Sequence, residues 1–202
     1  MLRRTVYLVD DDVEIIANIA TFLRDKHFEV RHFSSGADFL ATLPLNLPAV
    51  VVLDMQMPEL NGLEIQNSLV EQGVTSPIFF LSGDSKSQQI IDALKNGAYE
   101  FLLKPVKPNL LLDLLNKAFA QQESQDVLNK ELMQNQMRLE LLNKNEREIF
   151  NFFIQGFQNK DIAEKLSLQA DTIKKRRAQI YLKLDVDDLP ELIKKYGKLH
   201  DY

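Results

Sequence analysis

The first 120 residues alternate between two hydrophobic rhythms. Short apolar runs of strand length fall at 6–9, 30–33, 50–53, 78–81 and 101–103. Between them, apolar residues recur at helical spacing over 13–26, 37–43, 63–70, 87–95 and from 109 onward. Five strand–helix units in this order predict a parallel sheet with helices on both faces. The runs at 50–53 and 78–81 are wholly apolar, as strands buried on both sides must be.

Beyond residue 120 the strand rhythm stops. Residues 121–142 contain neither glycine nor proline and are mostly good helix formers, so the helix beginning near 109 is expected to continue through them. A seven-residue register runs through Leu128, Leu132, Asn135, Leu139 and Leu142, and backward through Gln125, Gln121, Ala118, Leu114 and Leu111. That spacing suits a left-handed coiled coil between two copies of the chain, weakened at its polar positions. The alternative is that these leucines pack against the chain's own domains. Short helices are then predicted at 146–155, ended by Gly156, at 160–166 with Asn159 as its cap, at 171–184 and at 187–198. On the third of these, Ile173, Ile180 and Leu184 share one face and are expected in a core.

Composition narrows the class. With 45% hydrophobic and 26% charged residues over 202 positions, the chain reads as an ordinary soluble protein of one large domain or two small ones. No apolar run nears the roughly 20 residues of a membrane helix. Residues 1–9 are too short an apolar stretch for a signal peptide, and three acids follow at once. The absence of cysteine excludes disulfides, iron–sulfur clusters and thiol catalysis, and fits a cytoplasmic location. His27, His32 and His200 lie far apart, which argues against a histidine metal site. Charge divides the chain. Residues 1–120 hold 10 basic and 15 acidic side chains, whereas 143–184 hold 9 basic and 5 acidic. An acidic front and a locally basic back predict two domains with different partners.

In parallel sheets ligands bind at the carboxyl ends of the strands. Here four strand ends are polar: Asp10, Asp11 and Asp12 after the first, Asp54 at the third, Ser82, Gly83 and Asp84 after the fourth, Lys104 at the fifth. Asp12, just before a helix, reads best as its cap. Clustered carboxylates repel one another unless a cation neutralises them, and an oxygen-only donor set suits Mg²⁺.

These residues have a familiar pattern. Val9-Asp10-Asp11, Val52-Leu53-Asp54-Met55 with Met57-Pro58 and Asn61-Gly62, Leu81-Ser82-Gly83, Gly97-Ala98 and Leu103-Lys104-Pro105 together resemble the receiver domain of two-component response regulators, over about 4–120. The resemblance implies a flavodoxin-like α/β fold, five parallel strands in order 2-1-3-4-5. It implies that Asp54 accepts a phosphoryl group from a sensor histidine kinase. Asp10, Asp11, Asp54 and the main-chain carbonyl of Gln56 would hold Mg²⁺. Ser82 would hydrogen-bond a phosphoryl oxygen, Lys104 would pair with the carboxylate and then the phosphoryl group, and Phe101 stands at the position of a switch aromatic. A cis Lys104–Pro105 bond is implied as well. An aspartyl phosphatase of the haloacid-dehalogenase type would need a second aspartate two residues after the nucleophile, where this chain has Gln56.

In the second half, Glu146-Arg147-Glu148-Ile149, Gly156, Asn159-Lys160-Asp161-Ile162-Ala163, Leu166, Thr172-Ile173-Lys174 and Lys183-Leu184 resemble the LuxR-type helix-turn-helix domain. The chain departs from that pattern at 143–145, and at Ser167 and Gln169. The two resemblances imply a NarL/FixJ-class regulator: a receiver over 1–120, a helical linker over 121–142 and an all-α DNA-binding domain over 143–202. Lys174, Lys175, Ala178 and Gln179 are expected to face the major groove, with lysine reading guanine and glutamine reading adenine. Lys160, Thr172, Arg176, Arg177 and Lys183 are expected phosphate contacts. The implied partners are the kinase, double-stranded DNA, a second copy of the chain and RNA polymerase, with no membrane. The implied activity is regulatory, not enzymatic beyond the receiver's own phosphoryl transfer and its reversal. Two competing readings are a DNA-binding regulator indifferent to phosphorylation and a protein-interaction module without DNA binding.

Overall fold

The computed structural model describes residues 3–83 and 87–199, so Asp84 and His200 lie outside the described residues. The chain divides into two compact units, Met1–Gln125 and Asp126–Tyr202.

The first unit is a five-stranded parallel sheet. Its strands are β1 (Thr5–Val9), β2 (Glu29–Phe33), β3 (Ala49–Asp54), β4 (Ile78–Ser82) and β5 (Glu100–Leu103), in spatial order 2-1-3-4-5. Four helices connect them: α1 (Val13–Asp25), α2 (Gly36–Leu40), α3 (Gly62–Glu71) and α4 (Ser87–Lys95). Helix α5 (Pro108–Glu140) follows β5.

Strand alternation accounts for the two layers. Val6 and Leu8 of β1, Val50 and Val52 of β3, and Phe79 and Leu81 of β4 point to one face. There they meet Ala20 and Leu23 of α1, and Leu111, Leu115 and Phe119 of α5. The intervening residues, Tyr7, Val9, Val51, Leu53 and Phe80, point to the other face, toward Phe39 of α2, Ile65 and Leu69 of α3, and Ala93 of α4. Because both faces are covered, the inner strands β1, β3 and β4 are buried throughout and carry no polar alternation.

Caps fix where the helices begin. The Asp12 carboxylate accepts from the Glu14 and Ile15 amides at 3.0 Å each, starting α1 as expected. At α3, Asn61 and Glu64 form a reciprocal capping box. Gly62, the first residue of α3, sits where a Cβ would meet the Asp54 carbonyl oxygen at 2.6 Å and Phe80 at 2.8 Å. A side chain there would push α3 off the end of β3, so glycine is required for this close approach.

The second unit contains α6 (Lys144–Ile154), α7 (Asn159–Lys165), α8 (Ala170–Leu184) and α9 (Leu189–Tyr196). They enclose Ile149, Phe150, Phe153, Ile162, Ile173, Ile180, Leu184, Leu192 and Tyr196. Gly156, at φ 86°, ends α6 in the left-handed region that glycine enters freely. Two sequence expectations about helix starts are corrected. Helix α6 starts two residues early because Asn143 and Glu146 make a full capping box. Asn159 is the first residue of α7, not its cap. Gln158 takes that place, and its amide donates to the Asp161 carboxylate at 3.3 Å.

Helix α5 runs unbroken past residue 120, as the missing glycine and proline foretold. The heptad reading of it is corrected at both ends. Leu111 and Ala118 belong to the receiver core. Leu142 is buried in the core of the second unit, with Leu139 packed against it. Leu128 and Leu132 remain exposed between them, beside Val127, Met133 and Met137.

Candidate functional site

The strand ends bring the predicted pocket residues together. Asp10 follows β1, and Asp54 and Ser82 end β3 and β4. All three are at least 96% buried. Asp11 stays exposed at the rim. One carboxylate oxygen from each of Asp10, Asp11 and Asp54 lies within 4.8 Å of the other two. Lys104 enters from the end of β5, its amide bonded to the Ser82 carbonyl at 2.8 Å. Its ammonium bridges Asp10 Oδ2 at 2.7 Å and Asp54 Oδ1 at 2.8 Å. The Lys104–Pro105 bond is cis. Above these groups is an open cavity of about 450 Å³ lined by Asp11, Asp12, Asp54, Gln56, Gly83 and Lys104.

The backbone completes the cradle. Gln56 donates its amide to Asp54 Oδ2 at 3.0 Å, and Asp12 donates its amide to Asp10 Oδ1 at 2.9 Å. Burial and the neighbouring charge of Asp10 raise the Asp54 carboxyl above its ordinary value, against the Lys104 hydrogen bond that lowers it. Burial works to lower the Lys104 ammonium, but its hydrogen bonds to Asp10 and Asp54 outweigh that and raise it. Two buried carboxylates thus share one lysine, a site short of positive charge. A small hard cation fits such a cluster, since Mg²⁺ takes one or two carboxylates and fills the rest of its shell with water and phosphate oxygens. Phe101 of β5 is half-buried, packed against the core beneath α3 and α4.

On the second unit, α8 presents the expected exposed face. Lys174, Lys175, Ala178 and Gln179 are exposed, while Ile173, Ile180 and Leu184 are fully buried. Lys160, Lys174 and Arg177 line an open groove of about 710 Å³ where the N-terminal ends of α7 and α8 meet. Thr172 and Arg176 are half-buried. Arg177 lies over the Phe153 and Tyr181 rings and donates Nε to the Tyr181 hydroxyl at 2.9 Å, which fixes its fork at the groove edge. Lys183 is a correction. Its ammonium turns inward to Glu146 Oε2 at 2.6 Å and the Leu141 carbonyl at 3.1 Å, so it joins helices within the domain and is withdrawn as a phosphate contact. No local sequence pattern marks this pair, whose members are 37 residues apart.

Residues 6–116 match the family model for the response regulator receiver domain, and 140–196 match that for bacterial regulatory proteins of the luxR family. The chain belongs to the NarL/FixJ class of two-component response regulators. Among curated relatives of this response regulator, the tetrathionate response regulatory protein TtrR of Salmonella typhimurium is 32% identical over 96% of this chain and 93% of its own length. The transcriptional regulatory protein FixJ of Rhizobium meliloti is 26% identical, covering 96% of this chain and 95% of its own. The solved structure of the response regulator StyR superposes with a TM-score of 0.83 at 30% identity, over 97% of this chain and 99% of that one. The protein is accordingly a transcriptional response regulator, a receiver joined to a LuxR-type DNA-binding domain. Among the described residues, no helix is long and apolar enough to cross a membrane.

Proposed function

We propose that Asp54 accepts a phosphoryl group from a sensor histidine kinase, and that this controls sequence-specific DNA binding by α8. The observation that carries the reading is the bridged pair Asp10–Lys104–Asp54, set at the floor of an open acidic cavity. A carboxylate attacks a phosphoryl group poorly, because anion meets anion. Catalysis of this transfer is mostly positioning and charge dispersal. Asp54 Oδ2 is held by the Gln56 amide while Oδ1 pairs with Lys104, so the nucleophile is oriented before the donor arrives. When phosphorus bonds to an Asp54 oxygen, the donor's imidazole nitrogen leaves. Lys104 then balances the new charge, and Ser82 at the end of β4 provides a hydroxyl for a phosphoryl oxygen.

Asp10, Asp11, Asp54 and the main chain of Gln56 would hold Mg²⁺, which would disperse negative charge on the transferring group. Phe101 would follow Ser82 and Lys104 inward. The receiver takes part in no chemistry beyond gaining and losing this phosphoryl group. In the output domain, Lys174, Lys175 and Gln179 would read base edges, and Lys160, Thr172, Arg176 and Arg177 would hold phosphates. We divide the chain into a receiver over 1–120, a linker over 121–137 and an output domain over 138–202. The linker boundary moves back from 142 because Leu139 and Leu142 pack in the output core. Pairing of two chains through the linker, contact with RNA polymerase and a cytoplasmic location belong to the same reading.

The test is labelling by a small phosphodonor. Label should depend on Mg²⁺ and vanish in Asp54→Asn, which is nearly isosteric and keeps the Gln56 hydrogen bond. Label persisting on that variant would move the acceptor to Asp10, Asp11 or Asp12. Full labelling of the parent with no change in DNA affinity would favour the regulator indifferent to phosphorylation.

A further inference from the structure

The C-terminal end of α5 is bonded to the C-terminal end of α8, within the Asp126–Tyr202 unit. Arg138 Nη2 lies 2.8 Å from Asp185 Oδ2. Asp185 is the left-handed cap of α8, at φ 55° and ψ 59°. Nearby, the buried Tyr196 hydroxyl donates to the carbonyl of Leu184, the last residue of α8, at 2.6 Å. In return, Lys183 near the end of α8 donates to the Leu141 carbonyl just past α5 at 3.1 Å. Each helix thus sends a cation to the other's C-terminal end, where the helix dipole is negative.

Leu139 and Leu142, packed in the output core, already hold this turn in place. The Arg138–Asp185 pair is a different kind of contact. The Arg138 and Asp185 side chains are 34% and 69% exposed, and ion pairs so exposed contribute little stability. One guanidinium nitrogen meets one carboxylate oxygen, a point contact that ties this side of α5 to the cap of α8.

We propose that Arg138 is a positioning residue that couples the linker helix to the recognition helix, so that the phosphorylation-dependent gain in DNA affinity passes through its bond to Asp185. This rests on the function proposed above, and its test separates the two.

The experiment uses the full chain with Arg138→Gln, Asp185→Asn, their double variant and Arg138→Lys. Asparagine suits the left-handed position of residue 185, so charge is removed without backbone strain. DNA affinity is measured with and without phosphodonor, on a duplex selected from a random pool by the phosphorylated parent. Thermal midpoint and Asp54 labelling are recorded alongside. Unphosphorylated affinity and labelling should stay within about twofold of the parent, while the gain on phosphorylation falls about fivefold or more in each single variant. The double variant should be no worse than either single, and Arg138→Lys should recover most of the gain.

A full gain in Arg138→Gln overturns the proposal. So does a parallel fall of both affinities with the thermal midpoint, which marks a structural role alone. Amide exchange in the unphosphorylated protein is the independent arm. Arg138→Gln should speed exchange at 184–187, and Asp185→Asn should speed it at 138–142. If the labelled parent shows no gain at all, the proposed function fails; exchange then decides the coupling by itself, and unchanged exchange in both variants overturns it.

Discussion

The proposed function gives Lys104 two roles that one substitution separates. Its ammonium neutralises Asp10 and Asp54 at once, so its removal leaves two buried carboxylates without their shared cation. Mg²⁺ can restore part of that balance, and phosphorylation should survive. What it cannot restore is a cation on β5 that follows the charge on Asp54. Lys104→Ala is therefore expected to label at a reduced rate while losing the gain in DNA affinity. Paired labelling and DNA titrations check this, and a normal gain would remove Lys104 from the switch. A second residue-scale case is Glu146. Burial pushes its carboxyl up, but the bonds from Lys183 and the Asn143 amide outweigh burial and lower it below its ordinary 4.5. A lowered folded-state value means stability that is full above 4.5 and lost as pH falls through the lowered value. Glu146→Gln should cost ~1–2 kcal/mol at neutral pH, discounted for the partial exposure of Lys183. That cost should shrink toward zero in acid. Urea midpoints of parent and variant between about pH 3 and 7 test the sign. A constant difference across that range would mean that the pair does not hold the domain.

At the scale of elements, the receiver was largely legible because its strands are buried on both faces. Four consecutive apolar residues at 50–53, and again at 78–81, suit a strand in the middle of a covered sheet. The polar residues that interrupt these runs fall at the strand ends, where the chemistry is. The output helices were legible as a core face and an exposed face, since Ile173, Ile180 and Leu184 share one side of α8. The ends of elements were less legible. Asn159 is the better cap by composition, and only the bond from the Gln158 amide to Asp161 places the start of α7 one residue earlier. Lys183 could not be assigned from sequence because lysine in a basic helix looks the same whether its partner is a phosphate or a distant glutamate. The face proposed for DNA is narrower than the basic composition of 143–184 suggests, centred on Lys174, Lys175 and Gln179. Lys174→Ala should relax base preference at one position by about 1–3 kcal/mol if it reads a base, or weaken all sequences alike if it holds a phosphate. Lys175 pairs with Asp171 at 3.1 Å, an exposed contact that DNA can displace, and the same comparison applies to Lys175→Ala. Binding to a set of single-site operator variants distinguishes the cases. No loss on either substitution would turn α8 away from the groove.

At the scale of the molecule, the question is what the exposed middle of α5 does. Val127, Leu128, Leu132, Met133 and Met137 are each 41–63% exposed along three turns of one helix. Leu128, Leu132 and Asn135 keep the heptad spacing, and a polar residue at such a position can fix a two-stranded register at some cost in stability. The receiver core and the output core claim the leucines on either side, so the seam available to a second chain is short. A short seam pairs weakly, which suits a contact that phosphorylation strengthens. The choice of variant follows from the same packing. Leu139→Asp would place a charge against the output core and unfold the domain, so loss of pairing there would carry no information. Leu128→Asp/Leu132→Asp changes only exposed positions and should leave the thermal midpoint and Asp54 labelling unchanged. Sedimentation at micromolar concentration should show the parent dimerising, more so when phosphorylated, and the double variant remaining monomeric in both states. Its DNA affinity should fall toward that of a single output domain, because two tethered domains gain from effective concentration what one cannot. A parent that stays monomeric after phosphorylation, or a variant that still dimerises, would move the contact from the linker to another surface of the chain.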